Sequence, residues 1–568
     1  MRVFLFLILL VGCSHKVNIV SPSTHLERSK YEAFGSNAMV TSQGEATSRA
    51  ALATLAKGGN IIDAFVTASF TVSVERPQST GIGGGGFLLF YNQAQKQVYA
   101  FDFREIAPRQ ATSGMYLTNK GETQPLLSQD GALAVATPGL VAGLYDIHKR
   151  FGRLPWKDII QPAIQLARNG FPLYDHLHSA LDDRRHLLAA DPEANKIFLM
   201  PDGSVPKLGT PIIQENLAKT LELIAEKGRD AFYLGKVAEA IVKTIKSKRG
   251  IMSLKDLKQY QMKERTPVTS DYKGLKIFSM PPPSSGGIHV IQILKMLEPL
   301  NLRGMGPQST EAVHLTANSM QRAFVDRATY LGDPDFHAVP VKELLHKKYL
   351  ETLSKEINTR DAVKGNALKP IPLPYESSDT THFSIADRDG NMVASTQTIN
   401  GWFGSGVIAQ GTGIILNNEM DDFAQKVGAQ NLFGAVGGNN NLVEPRKRPL
   451  SSMSPTIITK DEKPFMALGS PSGTRIITCV AQTILNAVEF EMPLFEAVAA
   501  TRIHQQWQPD LLKIEAPFLS EKVEKALQKR GHNVVHEKLG CSIQAIKREE
   551  NKWIGVSDPR GEGLALGN

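Results

Sequence analysis

The 568-residue chain is 42% hydrophobic and 21% charged, with 64 Lys and Arg against 56 Asp and Glu, a formal net charge of +8. This much apolar material supports a large folded core and excludes a disordered or collagen-like chain. The positive charges are scattered and form no tail or basic helix with interleaved aromatics, so the expected partner is a small molecule, mildly favoured if anionic, and not nucleic acid. Length alone allows about four domains at roughly 150 residues each, but few linkers are visible, which favours one or two large interlocked units.

The chain opens with Arg2, an apolar run from Val3 to Val11, Gly12 and Cys13. The run is too short to span a bilayer and has the layout of a secretory signal, so export is expected. Leu10-Val11-Gly12-Cys13 resembles a bacterial lipobox, which implies a signal over 1–12, lipidation of Cys13 and, with Ser14 next, a periplasmic protein held on the outer membrane. Residues 13–31 are polar and include Pro22, as in a flexible tether, with order expected from about Glu32.

From Glu45 to Phe70 the composition predicts two successive helices, parted at Gly58-Gly59 where a C-cap would fall. Residues 81–86 contain the pattern G-x-G-x-x-G. A strand-like run, Phe87 to Tyr91, follows it where a dinucleotide site needs a helix. Close backbone packing, or an approach to an active site, is the better account. Residues 97–103 and 275–278 read as strands. His176 and His178 stand two apart in a helical stretch and so point to different faces; with no H-E-x-x-H or C-x-x-C, no metal and no organic cofactor are expected.

Leu217, Leu221 and Ile224, then Val237, Ile241 and Ile245, recur at helical spacing on either side of Gly228. Residues 281–287 read equally as a linker or as a rigid loop. The mixture predicts an α+β or layered α/β protein. Residues 380–387 and 392–398 read as a hairpin turning on Asp389-Gly390; pairing Asp387 with Met392 leaves Thr398 within one residue of facing Thr380. By spacing alone this is a Thr-rich strand pair and nothing more.

Longer stretches carry a resemblance: Asp379-Thr380-Thr381-His382-Phe383-Ser384, residues 416–423, residues 448–456, Asp102-Phe103-Arg104-Glu105, residues 326–334, residues 469–473 and Ser557-Asp558-Pro559-Arg560. In this order they resemble the γ-glutamyltranspeptidases over nearly the whole mature chain. The resemblance implies an N-terminal-nucleophile hydrolase with a four-layer αββα sandwich. It also implies a precursor that cuts itself between Asp379 and Thr380, giving a large chain (32–379 beyond the tether) and a small catalytic chain (380–568) in one interlocked fold. Thr380 would supply both the nucleophilic hydroxyl and, as a free α-amine with a pKa of about 7.7–8.0, the base. Thr398 would aim that hydroxyl.

By the same resemblance, Arg104, Ser451 and Ser452 take the α-carboxylate of a γ-glutamyl group, and Asn400, Glu419 and Asp422 take its ammonium. Ser472 and Gly473 form the oxyanion turn, and Phe433, in the loop 424–447, is a lid. Ser472 departs from the Gly usual in the family, which matters if that position requires a positive φ. The expected activity is transfer of the γ-glutamyl group of glutathione and related amides to water, amino acids or dipeptides. The alternatives are an acylase of the same fold acting on glutaryl-type amides, which carry no α-amine, and a non-catalytic binding lipoprotein. Cys479 and Cys541 leave one disulfide open.

Overall fold

The computed structural model describes residues 28–363 and 380–568. Asp379 and Cys13, and with them the expected cleavage bond and lipidation site, lie outside the described residues.

Two seven-stranded sheets form the centre of the molecule. In the first, Thr381–Asp387 lies between Ala38–Ser42 and Met392–Thr398, followed outward by Gly85–Asn92, Gln97–Asp102 and Lys263–Arg265, with Leu564–Gly567 at the other edge. The second runs Glu32–Gly35, Lys552–Ser557, Gln544–Glu549, Lys463–Gly469, Thr456–Lys460, Leu275–Ser279, Val268–Tyr272. Both sheets therefore interleave strands from before and after residue 380, and neither half of the chain completes a sheet alone.

The sheets pack face to face through apolar side chains, and a few polar contacts cross between them: Trp553 Nε1 donates to the Asp387 carbonyl at 3.1 Å and Ser384 Oγ to the Gln544 carbonyl at 3.2 Å. Helices Glu45–Ala56 and Ile61–Glu75 cover the outer side of the first sheet, where Phe65 packs on Phe383 with ring centroids 6.0 Å apart. Helices Gly286–Leu297, Thr310–Tyr330 and Arg475–Ile484 cover the second. The architecture is the four-layer αββα sandwich that the motifs implied.

Ile61–Glu75 is buried along its whole length, and Asn60 starts it by accepting from Ile62 N and Asp63 N in a reciprocal capping box. The pairs of helices expected around 45–70 and 217–245 form as Glu45–Ala56 with Ile61–Glu75, and Glu215–Lys227 with Gly235–Ser247. A short helix, Asp230–Tyr233, sits between the second pair.

Four readings are refined. Arg28–Tyr31, within the span read as tether, is helical, and Arg28 ion-pairs with Glu32 and with Glu496. Residues 281–287 form a rigid loop inside the fold: Ser285 donates through N and Oγ to the Ser451 carbonyl, each at 2.8 Å, and a helix begins at Gly286. The hairpin register is Ala386↔Met392, one residue from the expected pairing, because the Asp387 carboxylate turns inward to accept Asp389 N and Asn391 N. Cys479 and Cys541 are disulfide-bonded.

Candidate active site

The corrected register decides the site. With Thr381 opposite Gln397, one further step sets Thr380 across from Thr398, and both are nearly inaccessible to solvent yet line the same cavity. The glycine run reaches this place as close-packed backbone: a Cβ on Gly84 would stand 2.0 Å from the Thr398 carbonyl. That is the close approach expected of residues 81–86. Thr398 Oγ1 accepts from Asn400 N at 2.8 Å, which fixes its rotamer, and Asn400 stands at φ +75°.

Asn400 Nδ2 donates to the Asn418 carbonyl at 3.0 Å, leaving its Oδ1 for the cavity. Asn418 leads directly into the one-turn helix Glu419–Asp422, of which Glu419 and Asp422 line the cavity.

Arg104 follows the end of strand Gln97–Asp102. Its N donates to Asp102 Oδ1 and its carbonyl accepts from Tyr260. Its guanidinium ion-pairs with Glu419 and Asp422, with Glu105 at 3.8 Å. The expected carboxylate binder is thus held by two of the expected ammonium binders. Burial lifts Glu419 well above the usual carboxylate range, and lifts Glu105 to about 7, with Arg104 opposing the shift in both.

Ser451 and Ser452 line the same cavity. Ser451 is pinned by its N to the Pro283 carbonyl and by its own carbonyl to Ser285, and its Oγ accepts from Met453 N at 3.1 Å. Ser452 Oγ accepts from Arg327 Nη2 at 3.1 Å. Arg327 stands within a stretch matched by motif but without an assigned role, because its chemistry depends on where the last turn of Thr310–Tyr330 comes to rest.

The turn 471–474 closes the cavity at the end near Thr380. Ser472 adopts φ +102°, the conformation that the departure from Gly put in question, and its Oγ donates to the Leu539 carbonyl at 2.5 Å. Gly473, at φ +51°, lies under the Phe433 ring, which a Cβ there would meet at 2.3 Å. Phe433 is buried and lines the cavity. Its loop is tied down by Leu432 N on Asp421 Oδ2 at 2.7 Å and Asn431 Nδ2 on Asp422 Oδ1 at 2.8 Å. His176, read as no metal ligand, contacts Arg76 and Gln78 instead. Among the described residues no cluster of three or more His, Cys, Asp or Glu could hold a metal ion.

Comparison with known proteins shows the family. The family model described as γ-glutamyltranspeptidase matches residues 47–568. The chain belongs to the γ-glutamyltranspeptidase family. The glutathione hydrolase proenzyme of Escherichia coli K12 is 41% identical over 524 residues, covering 92% of this chain and 90% of that one. The acylase ACY 1 proenzyme of Pseudomonas sp. SE83 is 37% identical over 546 residues, covering 94% of each. The crystal structure of Helicobacter pylori γ-glutamyltranspeptidase superposes with a TM-score of 0.56 at 38% identity, over 57% of this chain and 93% of that one. A cephalosporin acylase from Bacillus halodurans shares the fold at TM-score 0.83 and 24% identity, over 99% of each chain.

Proposed function

We infer that this member of the γ-glutamyltranspeptidase family cuts itself before Thr380 and then moves the γ-glutamyl group of glutathione and related amides through an ester on Thr380. The observation that carries the reading is that Thr380 and Thr398 line one cavity together with both charge signs, Arg104 against Glu419 and Asp422. A γ-glutamyl group has this outline: an α-carboxylate and an α-ammonium several bonds from the scissile amide.

In the precursor, the Thr380 hydroxyl attacks the Asp379 carbonyl and the C–N bond breaks, leaving an ester and a free Thr380 α-amine; water then opens the ester, releasing the Asp379 carboxylate and restoring the Thr380 hydroxyl. In the mature enzyme that amine takes the hydroxyl proton as Oγ attacks the γ-carbonyl. Backbone N–H groups of the 472–473 turn stabilise the oxyanion. The leaving amine takes the proton, and water or an acceptor amine then attacks the ester carbonyl and releases Thr380. Before cleavage the nitrogen is an amide and cannot serve as base, so the precursor is inactive.

The acylase relatives give a second reading, a glutaryl donor. Glu419 and Asp422 weigh against it, since they would bury beside a substrate without an ammonium to meet them. Export and a lipid on Cys13 complete the proposal. Among the described residues no helix is long and apolar enough to cross a membrane.

The purified protein and its Thr380→Ala variant decide the mechanism on a denaturing gel, with N-terminal sequencing and a chromogenic γ-glutamyl anilide. Two wild-type chains, the smaller starting at Thr380, are expected, with processing and donor cleavage both lost in the variant. A single inactive wild-type chain would overturn the reading in favour of a binding protein; faster cleavage of a glutaryl anilide would favour the acylase.

A further inference from the structure

The cavity holds two guanidinium groups, and their circumstances differ. Arg104 is matched by Glu419 and Asp422, with Glu105 close behind. Arg327, 5% exposed, donates Nε to Ser285 Oγ at 3.0 Å and Nη2 to Ser452 Oγ at 3.1 Å, and among the described residues no carboxylate comes within ion-pair distance of it. Its Nη1 makes no hydrogen bond among the described residues. Both of its partners are neutral hydroxyls, so its charge is buried without a counter-ion. Burial brings its pKa down to about 10, with Asp422 opposing and Arg104 adding to the fall. That value still leaves it protonated at neutral pH.

A buried, unmatched cation is costly unless an anion arrives to meet it. The side chain lies against Ser452, lines the cavity, and is held in one place by its two hydroxyl contacts. A planar guanidinium so fixed suits a carboxylate oxygen. Any anion reaching Ser452 therefore meets Arg327, whereas Arg104 must first give up contacts it already makes.

We propose that Arg327 is a substrate-binding residue that takes the α-carboxylate of the γ-glutamyl donor beside Ser452, completing a site in which Arg104 alone is already occupied. This rests on the γ-glutamyl reading above. Arg104 already holds Glu419 and Asp422, whereas Arg327 holds only the hydroxyls of Ser285 and Ser452, so a carboxylate entering beside Ser452 meets in Arg327 a cation with no carboxylate partner among the described residues.

The test compares Arg327→Gln and Arg327→Lys with wild type on three anilides: γ-glutamyl, 4-aminobutyryl, which lacks the α-carboxylate, and glutaryl, which lacks the ammonium. Loss of one charge-assisted contact predicts a KM for the γ-glutamyl donor raised roughly 10- to 100-fold in Arg327→Gln. The kcat should fall less, and Arg327→Lys should recover part of the loss. The glutaryl donor should suffer alongside the γ-glutamyl one, while the 4-aminobutyryl donor should keep its kcat/KM. An equal loss on all three donors would mean that Arg327 only braces Ser452, and would overturn the proposal.

Should neither variant mature into two chains, the wild type supplies the readout. Glutamate should slow modification of Arg327 by phenylglyoxal, read by peptide mass, and 4-aminobutyrate should not; absence of that difference overturns the proposal. A wild type that binds glutamate at Arg327 but cleaves no γ-glutamyl anilide would sink the catalytic reading and leave the carboxylate assignment standing.

Discussion

Ser472 has a backbone conformation that disfavours its side chain and a hydroxyl that compensates for it. A non-Gly residue at φ +102° costs about 1–3 kcal/mol, and the hydrogen bond to the Leu539 carbonyl returns about 0.5–1.5 kcal/mol. The two terms are of similar size and predict an order among variants. Ser472→Gly removes strain and bond together and should keep wild-type stability, with kcat on a γ-glutamyl anilide at or above wild type. Ser472→Ala keeps the strain, loses the bond and leaves a buried carbonyl short of a donor, so it should lose about 1–3 kcal/mol and turn over more slowly. Thermal melts and kcat for the three proteins measure this, and an Ala variant equal to wild type would refute the anchoring role. Sequence motif placed Ser472 in the turn; only its φ and the position of Leu539, 67 residues away, show how a Ser is tolerated there.

At the scale of elements, the loop carrying Phe433 behaves as a closed cover with fixed ends. Asp421 and Asp422 hold Leu432 and Asn431, while Asn431 Oδ1 accepts from Phe433 N at 3.0 Å and Ala435 N at 3.1 Å. The ring then rests on Gly473, so the loop spans from the expected ammonium site to the expected oxyanion turn. Phe433→Ala should leave the loop attached through these bonds, but open the cavity to water and remove the surface above the donor. The expected result is a KM for the γ-glutamyl anilide raised several-fold, with both chains still formed; an unchanged KM would show that the ring only fills space. The aromatic residue and its glycines were legible in the sequence. Asn431 as the hub was not, because an Asn in a polar loop carries no signal until its three side-chain partners are in place.

The same limit governs the hairpin. Alternation and Asp389-Gly390 were enough to find it, yet the register came out one residue off, since nothing in the local pattern says that the Asp387 carboxylate folds back onto the turn. For Thr380 and Thr398 that single residue decides whether they stand opposite each other.

The whole molecule explains why one chain must fold before it is cut. Strands from both sides of residue 380 alternate within each sheet, so separated halves would each expose unpaired sheet edges. Residue 28 is already joined to the body through Arg28 and Glu496, which leaves the segment between Cys13 and Arg28 as the length available to a lipid tether. Labelled-lipid incorporation should mark the wild type and not Cys13→Ala, and equal labelling of both would sink the anchor.

The family, the αββα layering and the charged and hydroxyl-bearing residues of the cavity other than Arg327 and Thr474 could be read from the sequence, because these depend on residue types kept in fixed order along long stretches of chain; Asn431, Met453 and Ile476 could not. Tertiary structure decided the rest: the facing of Thr380 and Thr398, the pairing of Arg104 with Glu419 and Asp422, the positive φ of Ser472, the Cys479–Cys541 bond and the unmatched charge on Arg327. Each of these is a relation between groups distant in sequence or a backbone angle imposed by packing, and electrostatic balance in a buried site is a sum over neighbours that one-dimensional spacing does not contain.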